Sequence, residues 1–346
     1  MDVNPIAEIV TVQEVLAHPN ADALDLISPD GSNVNYAIVA RGTVKVGDQV
    51  VWLDAMNEPV VPMDRAEFKV VEARAKGRPT YRIKAIRLRG VVSRGLIIPY
   101  LPEYGNTNEA VIAALGVTKW EPPANMGKHG HAGGSIHPGI ATSGPDYLLP
   151  TSKYDVDSLA RGWREIPEGA EVALTEKIHG ANAAYGWLLY RGEMEFRARS
   201  RGLWKARWGG GTWWAPVEPM GLDERMKPYP GLILYGEVYG QVQDLKYGVE
   251  DVAFVAFDVY DTNTNQWFTW DKVKEFCNTI GVPHVPEIGR VVWSATPGIP
   301  PIVREASDGP TLMPNATHTR EGLVARWDGA NGRRIFKLVG NGYLTR

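Results

Sequence analysis

The chain has 346 residues, 44% hydrophobic and 22% charged, which is enough for two domains with ordinary cores and excludes a collagenous or largely disordered protein. A formal net charge of -3 provides no global field for polyanions, so any nucleic-acid site must rest on local basic patches. The single cysteine, Cys277, excludes an intramolecular disulfide and a cysteine-rich zinc site; with no run near the roughly 18 apolar residues a membrane helix needs, a cytoplasmic protein without membrane contact is expected.

Residues 1–118 read as a compact β-rich unit. The runs IAEIVTVQEV, NYAIVA, DQVVWL, TYRIKAIRL and GLIIPY are short, β-branched and separated by glycine, proline or polar turns, and NEAVIAALG is the one helical pattern. Five short strands and a helix suit a small closed barrel of OB type. Residues 119–150 carry Pro, Gly, Ser and His without periodicity and read as a linker or long surface loop, in which His129, His131 and His137 lack the spacing of a zinc motif.

Residues 151–346 show strands at EVALTEKI, NAAYGWLLY, EMEFRARS, LILYGEVYG, VAFVAFDVYD, GLVARW and RRIFKLV, with a helix at DKVKEFCNTIG that stops at Gly281. Strands alternate with loops rather than helices. The fold class expected is therefore α+β, with an antiparallel second domain rather than a doubly wound parallel one.

The stretch TEKIHGAN ends a strand on Lys177 and follows it with His179, Gly180 and Asn182. A strand-end lysine is ordinarily a snorkelling surface residue. The four fixed positions K-x-H-G-x-N, however, arise by chance in roughly one chain in a thousand of this length.

With its companions, this stretch resembles the covalent nucleotidyltransferases, and among them the ATP-dependent RNA ligases with an N-terminal OB domain. RSRG at 199–202, LYGEVYG at 234–240, VAFDVYD at 255–261, EGLVAR at 321–326 and IFKLVG at 335–340 follow in that family's order. KAIRLRGVVSRGLIIP and HPNADALDL in the first unit are similar to OB modules, and the chain stops nine residues past Lys337, leaving no room for an OB domain after the catalytic one.

The resemblance implies an OB-type barrel followed by a nucleotidyltransferase (adenylation) domain. It implies that Lys177 attacks the α-phosphorus of ATP, that AMP passes to an RNA 5′-phosphate, and that a 3′-hydroxyl displaces AMP to seal the strand. RNA is the partner, as a nicked duplex or broken structured RNA in repair, with DNA on the 5′-phosphate side as a further option and a monomer as the expected state. A free lysine has a pKa of about 10.4, so burial or a nearby cation must lower it before it can attack. Mg²⁺ or Mn²⁺ is implied for that reason.

By the same resemblance Glu237, Asp258 and Glu321 hold metal, Glu237 alternatively the ribose. Phe257 stacks on adenine, Glu176 reads its amino group and Ile178 lines the site. Asn182 and either Arg201 or Arg199 touch sugar or phosphate, and Lys337 faces the α-phosphate. Many relatives carry lysine-x-lysine where this chain has Lys337, Leu338 and Val339, and Arg333 or Arg334 is expected to compensate.

Two patches are left over. Trp204, Lys205 and Arg207 lie in GLWKARWGGGTWWAP, where aromatics interleave with cations; they suit a nucleic-acid strand, or a flap over the domain's own core. Arg87, Arg89 and Arg94, with Lys84, make a basic cluster that suits a duplex backbone, the pyrophosphate of ATP or a solvated barrel face. His179 and the chain's end speak against a DNA ligase or capping enzyme, and the intact Lys177, Glu237, Glu321 and Lys337 against an RNA-binding protein with a dead catalytic domain.

Overall fold

A computed structural model describes residues 5–121, 139–209, 211–294, 298–329 and 332–346, so His129, His131 and His137 lie outside the described residues. The chain divides into two compact units: the N-terminal segment with Ser294–Arg304 and Leu344–Arg346, and a second that runs to Trp293 and takes in Glu305–Tyr343. No described helix is long and apolar enough to cross a membrane.

The first unit is built of short antiparallel strands. Gln49–Asp54 lies between Glu8–Thr11 and Gly95–Pro99, and Leu24–Ser28 between Glu14–Ala17 and Ala37–Ala40. The expected run IAEIVTVQEV is thus two strands, and TYRIKAIRL likewise splits into Thr80–Arg82 and Ile86–Leu88. The sequence pattern missed Leu24–Ser28, whose residues Leu26–Ser28 are buried, because a continuous buried run has no period-2 signature. Val51, Leu53, Val61, Phe68, Val111 and Leu115 form its core, closed by the helix Asn108–Leu115 between its Thr107 cap and the left-handed Gly116.

The second unit holds two sheets. Its principal strands are β1 (Glu171–Lys177), β2 (Ala181–Tyr190), β3 (Glu193–Ser200), β4 (Trp204–Lys205), β5 (Leu232–Gly240), β6 (Val252–Asp261), β7 (Glu287–Val292), β8 (Gly322–Gly329) and β9 (Gly332–Val339). β4, β3, β2, β5 and β6 run in that order within a seven-stranded antiparallel sheet, and β9, β8, β1 and β7 within a five-stranded one. All pairings among these strands are antiparallel; the two-residue strand Asp157–Ser158 pairs in parallel onto β9, and Ala256 of β6 makes an isolated parallel bridge to His284. This is the expected α+β build.

The helix α1 (Trp270–Ile280) buries Trp270, Val273, Phe276, Cys277 and Ile280, one stripe at three- and four-residue spacing, under the seven-stranded sheet. Glu287, the first residue of β7, binds it down: the carboxylate accepts from Lys274 Nζ at 2.6 Å, Trp270 Nε1 at 2.7 Å and Arg290 Nε at 3.0 Å. Burial alone would raise its pKa, but the hydrogen bonds from Arg290, Lys274 and Trp270 hold it down to about 2. The carboxylate's stabilisation is therefore complete above its unfolded value of about 4.5 and lost as pH falls through 2. Glu287→Gln is expected to lower stability by about 1–3 kcal/mol at pH 7, with the deficit narrowing as urea titrations are repeated from pH 5 down to pH 2. A deficit constant over that range would show that the charge is not what binds α1.

Candidate active site

β1 delivers Lys177 to its end opposite Gly322 of β8, and after three intervening residues the chain enters β2 in the other sheet, where Asn182 pairs with Glu237 of β5. The turn between the sheets needs Gly180. A Cβ there would sit 2.2 Å from the Val238 carbonyl oxygen and 2.9 Å from Glu237 Cγ, inside hard contact with the backbone of β5.

Between the sheets is a cavity of about 230 Å³. Its lining includes Glu176, Lys177, Ile178, Asn182, Arg201, Glu237, Phe257 and Lys337, gathered from six separate stretches of chain, together with Tyr154, Asp155 and Arg326. Lys177 Nζ is 2.8 Å from Glu321 Oε1, and the other oxygen of Glu321 is 3.2 Å from His179 Nδ1. His179 Nε2 meets Asp244 at 2.7 Å, and the His179 backbone N–H donates to the Tyr247 hydroxyl at 2.7 Å. The histidine thus braces Glu321 from behind.

Burial draws the Lys177 amine down, but Glu321 and Glu237 together outweigh it, and its pKa lies above the ordinary value. The sequence argument expected burial or a cation to lower it; two carboxylates surround it instead, so the resting side chain is an ammonium. Burial pushes the Glu237 carboxyl up to about 8, with Lys177 pulling down and Glu321 pushing further up. Burial also acts to raise Glu321, yet Lys177 and His179 hold it below its usual range. Lys337 is lowered by burial.

Phe257 reaches the cavity through an irregularity in the sheet. Tyr235 pairs with Asp258 and Gly236 with Ala256, so Phe257 is the extra residue of a bulge, which aims its ring into the cavity beside Tyr154, 5.3 Å between ring centres. Gly236 is required opposite it, since a Cβ would fall 2.2 Å from the Val255 carbonyl oxygen. Asn182 Oδ1 is buried in the cavity wall without a hydrogen-bond partner among the described residues.

Several expected residues stand elsewhere. Asp258, expected among the metal ligands, is fully buried off the cavity; its carboxylate accepts from Tyr154 at 2.6 Å and from Arg333, with Arg326 at 3.8 Å. A carboxylate neutralised by two guanidinium groups has no charge left for a metal. Arg333 is spent on that pair and Arg334 on Glu165 at 3.2 Å, so neither compensates for the missing lysine; the extra cation in the wall is Arg326. Glu176 lines the cavity, but its oxygens accept from Thr311 Oγ1 at 2.5 Å and the Leu312 backbone N–H at 2.6 Å. Arg199 is buried, whereas Arg201 is half exposed and lines the cavity.

Of the two leftover patches, Trp204 and Arg94 are corrected, whereas Lys205 and Arg207 line a separate cleft and Arg87 and Arg89 stay exposed. Trp204 is buried against Tyr154 and Tyr235, its Nε1 donating to Asp146, and Lys205 is buried on the other face of the sheet; Arg207 alone of the three projects into solvent. Arg94 is buried in the first unit and is no part of a basic surface, while Arg87 donates to Gly90 and Thr345.

Sequence reasoning missed Arg326, Tyr154, Asp155, Asp244, Tyr247 and Tyr343, whose hydroxyl lies 3.4 Å from both ring nitrogens of His179. Arg326 stood inside a quoted motif and could have been found as the inward-facing residue two positions from Val324 on β8.

Residues 170–339 match the RNA ligase family model, and residues 6–100 match an OB-fold domain model. Those C-terminal residues form a domain of the RNA ligase family. Solved structures of a Naegleria gruberi RNA ligase align with nearly all of this chain. One with PPi gives a TM-score of 0.75 at 23% identity, covering 99% of this chain and 98% of that one. A mutant with ATP and Mn gives 0.74 at 23% identity, covering 98% of both, and another with AMP and Mn gives 0.75 at 23% identity, covering 99% and 98%. That likeness establishes a shared fold, an OB-fold unit followed by a sheet-rich ligase unit. No curated protein matches the ligase.

Proposed function

We propose that this RNA ligase is ATP-dependent and joins a 3′-hydroxyl to a 5′-phosphate through lysyl-AMP and RNA-adenylate intermediates, acting at nicks or breaks in structured RNA. The observation that carries this is Lys177 at the edge of a cavity that offers a ring, Phe257, and an unsatisfied amide oxygen, Asn182, with Arg201, Arg326 and Lys337 in the same wall. Phe257 takes the adenine face, Asn182 a ribose or phosphate group, and the three cations the phosphates. Lys177 Nζ forms the bond to the α-phosphorus as the bond to pyrophosphate breaks, and the amine proton must leave first.

That proton is held by Glu321 and Glu237. Among the described residues no group of three acidic, cysteine or histidine side chains forms a cage for a metal. Mg²⁺ and Mn²⁺ do not need one: two carboxylates suffice where waters and substrate phosphates complete the shell, and Glu237 and Glu321 fit that role. A divalent ion there would supply the positive charge that favours the free amine. Glu176, held by Thr311 and Leu312, reads the adenine only if one of those bonds is exchanged.

The test is ATP-dependent joining of a nicked RNA duplex with 3′-hydroxyl and 5′-phosphate ends, followed by gel electrophoresis; absence of joined product with either metal on any RNA end pair would overturn the proposal. Gly180→Ala tests the geometry. The Cβ displaces β5 at Glu237, and lysyl-AMP formation is expected to fall by about 10²-fold while the folded state persists in circular dichroism. A variant as fast as the parent would show that the Glu237 position does not matter.

A further inference from the structure

On the face of the seven-stranded sheet away from the cavity lies a second cleft of about 440 Å³, walled by Trp208, Trp214, Lys205, Arg207 and Arg197, a volume in the range of small-molecule sites. β4 has two residues and splits them: Trp204 packs with Tyr154 on the cavity side, and Lys205 turns to the opposite face, its ammonium 4.4 Å from the Trp213 ring centre. Lys205 is nine-tenths buried, makes no ion pair or hydrogen bond through its ammonium among the described residues, and is lowered in pKa by burial. A buried cation without a counter-ion is costly, and it lines an open cleft. Its neighbours are neutralised, Arg197 by Glu195 at 2.7 Å and Arg207 by Asp223 at 3.3 Å.

The aromatic part is equally unusual. Trp208 is 81% exposed, and Trp214 is fixed by its Nε1 bond to the Lys205 carbonyl at 3.0 Å. An exposed indole beside a fixed one presents flat faces to a planar ligand, and an unpaired ammonium beside them presents a charge to an anion. Base and phosphate together are a nucleotide. The loop is also joined to the catalytic cavity, since Trp213 Nε1 donates to the Asn182 carbonyl at 2.8 Å.

We propose that this cleft is a nucleotide subsite for an RNA strand, in which a base stacks on Trp208 and its phosphate meets Lys205, holding a single-stranded part of the substrate away from the sealing point. This rests on the RNA ligase reading for the choice of RNA over a free nucleotide.

The test is fluorescence anisotropy of a short labelled oligoadenylate without a 5′-phosphate, on the full chain at fixed salt. Trp208→Ala and Lys205→Met are each expected to weaken binding by about tenfold, with Trp208→Phe restoring it. Thermal melting of each variant separates lost binding from lost folding, and Trp208 is exposed enough for its replacement to fold. Unchanged RNA affinity in Trp208→Ala overturns the proposal. If equilibrium dialysis then finds a second equivalent of AMP that Trp208→Ala loses, the cleft takes free nucleotide instead of RNA. Lysyl-AMP formation by the unsubstituted chain is scored separately: its absence, with RNA binding still dependent on Trp208, sinks the ligase mechanism and leaves the cleft standing.

Discussion

Lys177→Met is expected to abolish ATP-dependent strand joining, yet still to seal RNA that already carries a 5′-adenylate. Methionine keeps most of the side-chain volume at the end of β1 but has no amine, so the covalent step is lost while the fold and the rest of the cavity persist. On the proposed mechanism, sealing of the adenylated strand needs AMP held as a leaving group by Phe257, Arg201, Arg326 and Lys337, all of which the substitution leaves in the cavity lining. The two activities are read on one gel with two substrates. Residual joining of the phosphorylated strand at more than about a thousandth of the parent rate would contradict the assignment of the nucleophile, since loss of a covalent group costs that much or more.

The second large effect is expected at Glu321. Its carboxylate holds the Lys177 proton, so removing the negative charge in Glu321→Gln must lower the pKa of Lys177. If Glu321 did nothing else, the rate of adenylylation would hold its plateau and its alkaline rise would move to lower pH. The proposed mechanism instead gives Glu321 the task of gathering positive charge at the α-phosphate, and a loss of about 10²-fold across the whole pH range is expected. Stopped adenylylation reactions from pH 6 to pH 10 distinguish the two. A preserved plateau would mean that Glu321 serves only as the resting counter-ion of the lysine.

The motif order was legible because each motif is a few residues of one strand, and the strands' hydrophobic alternation survives in sequence. What brings Lys177, Glu237, Glu321 and Lys337 to one place is the pairing of two sheets, which the sequence does not display. Asp258 illustrates the limit. Its hydrogen-bond partners, Tyr154 and Arg333, lie 104 and 75 positions away, and no local pattern announces them. Simple alternation placed Phe257 and Asp258 on opposite sides; the bulge that presents Phe257 is set by the pairing of β5 with β6 and is invisible in either strand alone.

The tryptophan-rich stretch failed as a unit for a related reason. Trp204 and Lys205 are adjacent in a two-residue strand and so point to opposite faces, one into a core and one towards a cleft, whereas composition treats them as a single patch. In the first unit the barrel-like class was readable from turn residues, but the strand count was not. Buried runs such as Leu24–Ser28 carry no alternation, and the break at Val12 and Gln13 divides a run that reads as continuous.

The most direct measurement is the intact mass of the purified chain after incubation with ATP and Mg²⁺ or Mn²⁺, followed by peptide mapping, with prior treatment with pyrophosphate and metal, then desalting, so that any preformed lysyl-AMP is discharged as ATP, and with pyrophosphatase present during the assay to remove the product. One AMP on Lys177 from ATP, and none from GTP, is the result predicted; no adduct with either metal, or an adduct on any other residue, would contradict Lys177 as the nucleophile.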